Sequence, residues 1–478
     1  MPEVLRPDIC VIGGGSGGLS VAAAAAAFGV PVVLVEQGKM GGDCLNYGCV
    51  PSKALIAAGK HAKRLADAPR FGIHAGPPAI DFAAVHAHIH GVIAAIAPTD
   101  SVARFTGLGV RVLRGHARFA DADTVVVDGE TEIKARRFVV ATGSAPAIPP
   151  IPGLADTPYL TNETVFDLTE RPRRLVVIGG GAIGLELGQA YRRLGAAVTV
   201  IEAATPLGRD DPECAEIVLQ ALLGEGVAIR VGHSVTAIKP PEAAGGEVAV
   251  MVKTERGEET VAGTHLLIAV GRKPNVDDLG LDCAGIAYGR GGILVDKGLR
   301  TSNRRVYAIG DVAGGRQFTH VANYHAGLVI RNALFRLPVR VDDRAVPAVT
   351  FTDPELAQVG LTEAEAKRRG FEINVLRWPY HENDRAQTER QTHGHIKVIA
   401  TRRSRVLGAT IVGAHAGELI ATWALAIKQN LTVRAFAELT VAYPTFAEIG
   451  KRAAVSSYSR SLTNPLVRRI IAWLRRLG

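Results

Sequence analysis

Residues 8–36 run from a short apolar stretch (DICVIG) through a glycine-rich turn into an alanine-rich stretch (LSVAAAAAAFG), then into a second apolar run ending in an acid (PVVLVE). Apolar runs this short predict strands, and the longer stretch between them predicts a helix, which together make one βαβ unit. The same order of signals returns at 174–202 as RLVVIG, GGAIG, LELGQAYRRLG and AAVTVIE. One module is therefore present twice. Between the copies, a helical stretch is expected from about Pro51 to Leu108, then a β-rich stretch and the strand FVVATGSAP ending near Pro150. LLIAVGRKP and RVYAIGDVAG, the latter near 306–314, follow the second copy. From Ala345 the pattern changes to mixed strands and helices, VPAVTFTDPELAQVGLTEAEAKRRG. A chain of 478 residues exceeds what one core usually supports. The reading is an α/β protein with two Rossmann-type domains and a C-terminal α+β domain, divided at 1–150, 151–272, 273–344 and 345–478.

Composition narrows the class. With 47% hydrophobic residues, 21% charged residues and 53 glycines, the chain can bury large cores and make many tight turns. Its formal net charge is +9, yet the arginines are spread along the chain and are densest near the C-terminus, so no nucleic-acid partner is expected. Cysteines at 10, 44, 49, 214 and 283 are odd in number and irregularly spaced. That is a poor secreted disulfide framework and fits a reducing cytoplasm. MPEVLRPDICVIGGG lacks the features of a signal peptide, no apolar run reaches roughly eighteen residues, and the alanine run 22–27 is too short to span.

The first module carries Gly13, Gly15 and Gly18, with Glu36 ending its second strand. Glycines let the turn tighten and the backbone approach a pyrophosphate at a helix N-terminus, while the acid can bond a ribose diol. The second module repeats this with Gly179, Gly181, Gly184 and Glu202. A carboxylate at that place repels a 2′-phosphate, so NADH is preferred. Arg209 lies close downstream and keeps NADPH as the alternative.

The most specific local signal is GGDCLNYGCVPSKAL, with Cys44 and Cys49 just after the first module. On a regular helix these side chains diverge, so a bridge between them requires a distorted turn, which Gly48 permits. A helix starting near the pair would lower a thiolate pKa. No second Cys or His pair stands at zinc-site spacing, and no resident metal is expected. Cys10, Cys214 and Cys283 read as core or surface residues.

These motifs in order resemble the pyridine nucleotide-disulphide oxidoreductases, the family of lipoamide dehydrogenase, glutathione reductase and mercuric reductase. The resemblance runs nearly end to end. It rests on the two modules, CLNYGCVPSK, ATG at 141–143, AVGRKPN at 269–275, AIGDVAG, and FTDPELAQVGLTE in the last domain. It implies FAD on the first module, together with Thr142, Gly143, Gly310 and Asp311, the last bonding the ribityl chain. It implies the nicotinamide nucleotide on the second module with Gly271, and a homodimer made through the last domain. Lys53 and Glu186 would pair beside the flavin ring. Hydride would pass from NADH to the flavin and then open a Cys44–Cys49 bridge, with Cys49 as the flavin-facing thiolate and Cys44 as the interchange sulfur.

One segment departs from the lipoamide and glutathione reductases, which carry a His-Pro near the C-terminus and a Glu shortly after. Here it reads AYPTFAEIG, with Glu448 present and Tyr443 in the histidine's place. A phenol of ordinary pKa, about 10, is a poor acid–base catalyst at neutral pH. Mercuric reductases share this tyrosine, although the C-terminal cysteine pair of that branch has no counterpart in WLRRLG. The expected acceptor is a small-molecule disulfide or a thiol-reactive metal such as mercuric ion. Two alternatives stand beside it: a dihydrolipoyl dehydrogenase within a larger complex, and a membrane-docked partner subunit with a structural flavin. His320 is the first candidate for a substitute base, Tyr443 can equally be a packed interface aromatic, and the ENDRA segment at 382–386 receives no role.

The last fifteen residues, 464–478 (NPLVRRIIAWLRRLG), place Leu466, Ile470, Trp473, Leu474 and Leu477 near one helical stripe, with Arg468, Arg469, Arg475 and Arg476 mostly elsewhere. This is the pattern of a helix on an anionic membrane surface or of one packed on its own dimer. The expected location is cytoplasmic, with a peripheral position on the inner membrane face as the variant.

Overall fold

The computed structural model describes residues 3–74, 76–243, 245–459 and 464–477. The chain forms two compact units. One gathers Met1–Gly179, Ala190–Ile201 and His233–Val341; the other gathers Gly180–Gln189, Glu202–Gly232 and Asp342–Gly478. The α/β class with Rossmann-type modules expected from the sequence is the fold observed.

In the first unit, five parallel strands lie in the order Val306–Ala308, Arg137–Val140, Ile9–Ile12, Val32–Glu36 and Val110–Arg114. The strands Ile9–Ile12 and Val32–Glu36 carry unbroken apolar runs because both of their faces are covered, whereas the edge strand Val110–Arg114 interleaves Arg111 and Arg114. One face packs on helices Ser16–Ala27 and Thr319–Ala333, the other on the small sheet that includes Ala117–Phe119 and Val125–Val127. Gly18 is dictated by close approach: a Cβ there would lie 1.9 Å from the Gly13 carbonyl oxygen. Parallel pairing recurs in the second module, where Arg174–Ile178 lies between Ala197–Glu202 and His265–Ile268.

The helical stretch after the cysteines is built from Cys49–Asp67, Phe82–Ile96 and Val102–Gly107. By length and composition alone, Phe82–Gly107 is apolar enough to cross a membrane. It is not one continuous α-helix: a 3₁₀ turn at Ala97–Asp100 is followed by Ser101 in extended conformation, whose side chain caps the next helix. At its other end Phe82 stacks on Tyr191.

The second unit centres on an antiparallel sheet in the order Ala348–Thr350, Glu355–Gly360, Val406–Gly413, His395–Thr401, Ile373–Pro379. Helices Ala416–Lys428 and Glu448–Ser456 contribute to the core on it, where Trp423 stacks on Phe436 at 3.8 Å. Lys397 is buried on this sheet among Asp211 (2.9 Å), Glu213 (3.0 Å) and Glu363 (3.1 Å). The helix Pro465–Leu474 carries its apolar side chains exposed, Leu466, Ile470, Trp473 and Leu474 among them. Gly478, the last residue of that tail, lies outside the described residues.

Candidate active site

The cysteine segment folds as a short helix, Gly42–Asn46, then a break, then the long helix Cys49–Asp67. Gly48 makes the break, and its lack of a side chain is required there, since a Cβ would lie 2.8 Å from Asp43 Oδ2 and 3.1 Å from the Asp43 carbonyl oxygen. The distorted turn inferred from the sequence is thus present. Cys44 and Cys49 are both thiols in this structure, with Cys49 exposed and Cys44 half-buried.

The two sulfurs are not equivalent. Cys49 opens the long helix, where backbone N–H groups lack partners and favour an anion. A hydrogen bond from Cys44, together with Thr319 and the Lys53 ammonium, brings Cys49 down to about 6 from the usual 9.0, against burial and the Asp43 carboxylate. Cys44 is pushed up, first by its hydrogen bond to Cys49, then by burial. The proton therefore rests on Cys44 and the negative charge on Cys49. The Thr319 hydroxyl lies 3.6 Å from the Cys49 sulfur.

The first dinucleotide turn stands against this segment. Gly13 has φ +110°, and Gly41 N–H donates to the Gly14 carbonyl at 2.9 Å. Glu36 accepts N–H bonds from Gly14 and Gly38, both 2.5 Å. A Cβ on Gly15 would meet only the Gly42 Cα, at 3.8 Å, so the helix N-terminus stays open for a pyrophosphate. Further along the chain, Thr142 and Asn275 exchange hydrogen bonds of 2.8 and 2.9 Å, joining the ATG and GRKPN segments. Gly143 (φ +70°) and Gly310 (φ +67°) are left-handed, and the Gly310 N–H is held by His325 Nδ1 at 3.2 Å. Asp311 accepts from the Ser144 hydroxyl at 2.6 Å, and burial raises its pKa. A half-buried acceptor beside an open glycine cradle fits FAD.

In the second module, Gly179 (φ +113°) ends its strand, and Gly184 lies inside the helix Ala182–Arg193. Glu202 accepts N–H bonds from Gly180 and Ala204, both 2.7 Å, the arrangement Glu36 makes in the first. A Cβ on Gly181 would meet nothing within 4 Å, and the same holds for Gly271. Two open cradles with acids in equivalent positions fit two dinucleotides.

Lys53 follows on the cysteine helix and donates to the Ser52 hydroxyl at 3.4 Å. Glu186 is buried and accepts the Phe351 N–H at 2.9 Å. Tyr443 is 69% exposed, and its single hydroxyl proton goes to Asp384 at 2.7 Å rather than to Glu448, which begins the helix Glu448–Ser456. That bond raises the phenol's pKa further. His320 is exposed and stacks on Phe318. Sequence reasoning missed Asp43, Ser144, Asn162, Arg272 and Thr319 around the cysteines. Asp43, Ser144, Arg272 and Thr319 each had a local signal, their places next to Cys44, Gly143, Gly271 and His320, whereas Asn162 had none.

A dithiol at a helix start beside a dinucleotide cradle, with a second cradle in the same chain, defines a flavoprotein disulfide reductase. Residues 7–326 match the family described as pyridine nucleotide-disulphide oxidoreductase, and residues 346–454 match its dimerisation domain. Among relatives, a mercuric reductase of Lysinibacillus sphaericus is 37% identical over 94% of this chain and 82% of its own. A dihydrolipoyl dehydrogenase of Geobacillus stearothermophilus is 36% identical over 94% and 96%. LpdA from Mycobacterium tuberculosis superposes with a TM-score of 0.86 at 29% identity, covering 95% of this chain and 99% of that one. The chain belongs to the pyridine nucleotide-disulphide oxidoreductase family. It is an FAD-dependent enzyme that uses NAD(P)H, and its dimerisation domain makes it a homodimer.

Proposed function

We propose that the enzyme uses NADH to reduce a Cys44–Cys49 bridge and passes the two electrons to a small thiol-reactive acceptor, a disulfide or a mercuric ion. The observation that carries this reading is the division of labour between the sulfurs: Cys49 is held at about 6 and Cys44 keeps its proton. FAD, when bound, links hydride chemistry to thiol chemistry. Gly13, Gly15, Gly18, Glu36, Thr142, Gly143, Gly310 and Asp311 hold it in this reading, and Lys53 stands on the cysteine helix as the cation beside it. Gly179, Gly181, Gly184 and Gly271 hold the nicotinamide nucleotide. Glu202 disfavours a 2′-phosphate there.

With a disulfide substrate the exchange takes two steps. Cys44 hands its proton to the Cys49 thiolate and attacks one substrate sulfur as a thiolate; that proton then leaves with the first product thiol, which restores the Cys49 thiolate. Cys49 thiolate then attacks Cys44 sulfur, closes the bridge and releases the second thiolate, which takes a proton from water. Tyr443 stays a neutral phenol held by Asp384 and gives little acid–base help to that leaving group. Ordinary disulfides are therefore slow substrates.

A dihydrolipoyl dehydrogenase within a larger complex is the second reading, favoured by relatives of that name that align over 94% of the chain. Anaerobic rapid mixing of NADH-reduced enzyme with oxidised lipoamide separates the two by following the thiolate-to-flavin charge-transfer absorbance. A band that persists supports the first reading, and fast loss supports the second. Absence of turnover with every acceptor would leave only a partner subunit with a structural flavin.

We also infer that the tail docks on an anionic lipid surface, placing the enzyme in the cytoplasm at the inner face of the membrane. Its apolar side chains are exposed, and Arg469, Arg475 and Arg476 are exposed beside them. That combination suits acidic headgroups above an acyl boundary. Flotation with phosphatidylserine liposomes should be lost when residues 464–478 are removed; unchanged flotation sinks the idea.

A further inference from the structure

Arg272 lies where three distant segments of the chain meet. It opens the short strand Arg272–Pro274, which runs antiparallel to Ser144–Pro146. Its side chain is only 13% exposed. Nε donates to the Ser144 hydroxyl and Nη2 to the Ser144 carbonyl, each at 2.7 Å. Nη2 also stands 3.1 Å from Asp43 Oδ1, and Nε 3.9 Å from Asp311 Oδ2. A guanidinium carries five N–H donors in a fixed fork and stays charged, which suits it to two carboxylates at once.

Asp43 is the carboxylate next to the redox pair. It precedes Cys44 in the chain, and its Oδ2 faces Gly48 closely enough that a Cβ there would lie 2.8 Å away. Oδ1 is held by Arg272 and by Asn162 Nδ2 at 3.1 Å each. Asn162 also donates to the Tyr47 carbonyl at 3.2 Å, fixing the same turn. A negative charge in this place opposes ionisation of either sulfur.

We propose that Arg272 is a positioning residue for the cysteine pair: it pins and neutralises Asp43, so that Cys49 can ionise beside it, and through Ser144 it ties that turn to Asp311. The proposal rests on the redox reading of Cys44 and Cys49. The groups that act on Cys49 are Cys44 and Asp43 from its own turn, Lys53 from the helix it begins, and Thr319 from the helix Thr319–Ala333. Of these, Asp43 alone opposes the thiolate, and Arg272 is the cation paired with it. Without Arg272 the thiolate loses stability; without Asp43 it gains.

The test uses full-length, FAD-loaded enzyme reduced with dithiothreitol, so the readout does not depend on electron flow from NADH. The rate of iodoacetamide alkylation at Cys44 and Cys49 is followed against pH by peptide mass spectrometry, alongside FAD content. Arg272→Met should raise the thiolate midpoint by about one pH unit, roughly tenfold in proton concentration. Asp43→Asn should lower it, and the double variant should return near the wild type. A purely structural role for Arg272 would lower FAD content without restoring the midpoint in the double variant. Midpoints that stay put, or that move in the same direction in both single variants, overturn the proposal. If Arg272→Met does not fold, Asp43→Asn decides alone, and a midpoint that fails to fall overturns it. Failure of the redox reading shows separately, as wild-type enzyme in which NADH generates no alkylatable thiol at these cysteines.

Discussion

The Thr319 hydroxyl lies 3.6 Å from the Cys49 sulfur, across from the Cys44 thiol that also bonds it. Two hydrogen-bonding neighbours and a helix N-terminus therefore converge on one thiolate. Thr319→Val keeps the shape of the side chain and removes the hydroxyl. It should shift the charge-transfer midpoint upward by less than about one pH unit, the weaker of the two hydrogen-bond losses. A spectrophotometric pH titration of reduced enzyme reads this directly.

The pH dependence has a definite sign. The Cys49 pKa is depressed to about 6, so its thiolate is present above that pH and lost as pH falls through it. The charge-transfer absorbance should fall with a midpoint near 6. Cys44→Ser should keep the band at neutral pH, because a serine hydroxyl still donates, whereas Cys44→Ala should raise the midpoint. Both variants should lose turnover while retaining flavin.

Much of this was legible in the sequence, for a physical reason. Short apolar strands, glycine turns and terminal acids act locally, so both cradles and the break at Gly48 could be read from adjacent residues. The pairing of Arg272 with Asp43 and of Tyr443 with Asp384 is set by tertiary contact between distant segments. No local pattern carries it. For the same reason the ENDRA segment received no role from sequence, although Asp384 holds the Tyr443 hydroxyl and Asn383 donates to the Thr445 carbonyl at 3.0 Å.

Tyr443 should not titrate in the working range, because its bond to Asp384 raises its pKa above the ordinary phenol value. Tyr443→Phe should leave the pH–rate profile between about 6 and 9 unchanged in shape. Tyr443→His should add an ionisation near neutrality and raise the rate with oxidised lipoamide. Steady-state pH profiles of the two variants check both statements.

Nucleotide choice should follow Glu202, whose carboxylate is fixed by the Gly180 and Ala204 N–H groups. Glu202→Ala should weaken the preference for NADH over NADPH by roughly tenfold, since one unit of like-charge repulsion at such a site is worth on the order of 1–2 kcal/mol. The ratio of kcat/KM for the two coenzymes measures it.

Lys397 is 5% exposed and touches three carboxylates. Lys397→Met removes the cation and leaves Asp211, itself buried, uncompensated. Breaking such a pair costs about 3–5 kcal/mol. The unfolding midpoint in a thermal melt should fall clearly, while the absorbance of bound flavin in the folded protein should not change.

In this mechanism Cys44 and Cys49 receive the electrons of NADH. Counting thiols with and without NADH under anaerobic, non-denaturing conditions, starting from oxidised enzyme, tests it most directly. Two new titratable thiols per bound flavin should appear in the wild type and none in Cys44→Ser or Cys49→Ser. Flavin bleached by NADH with no new thiols would contradict it.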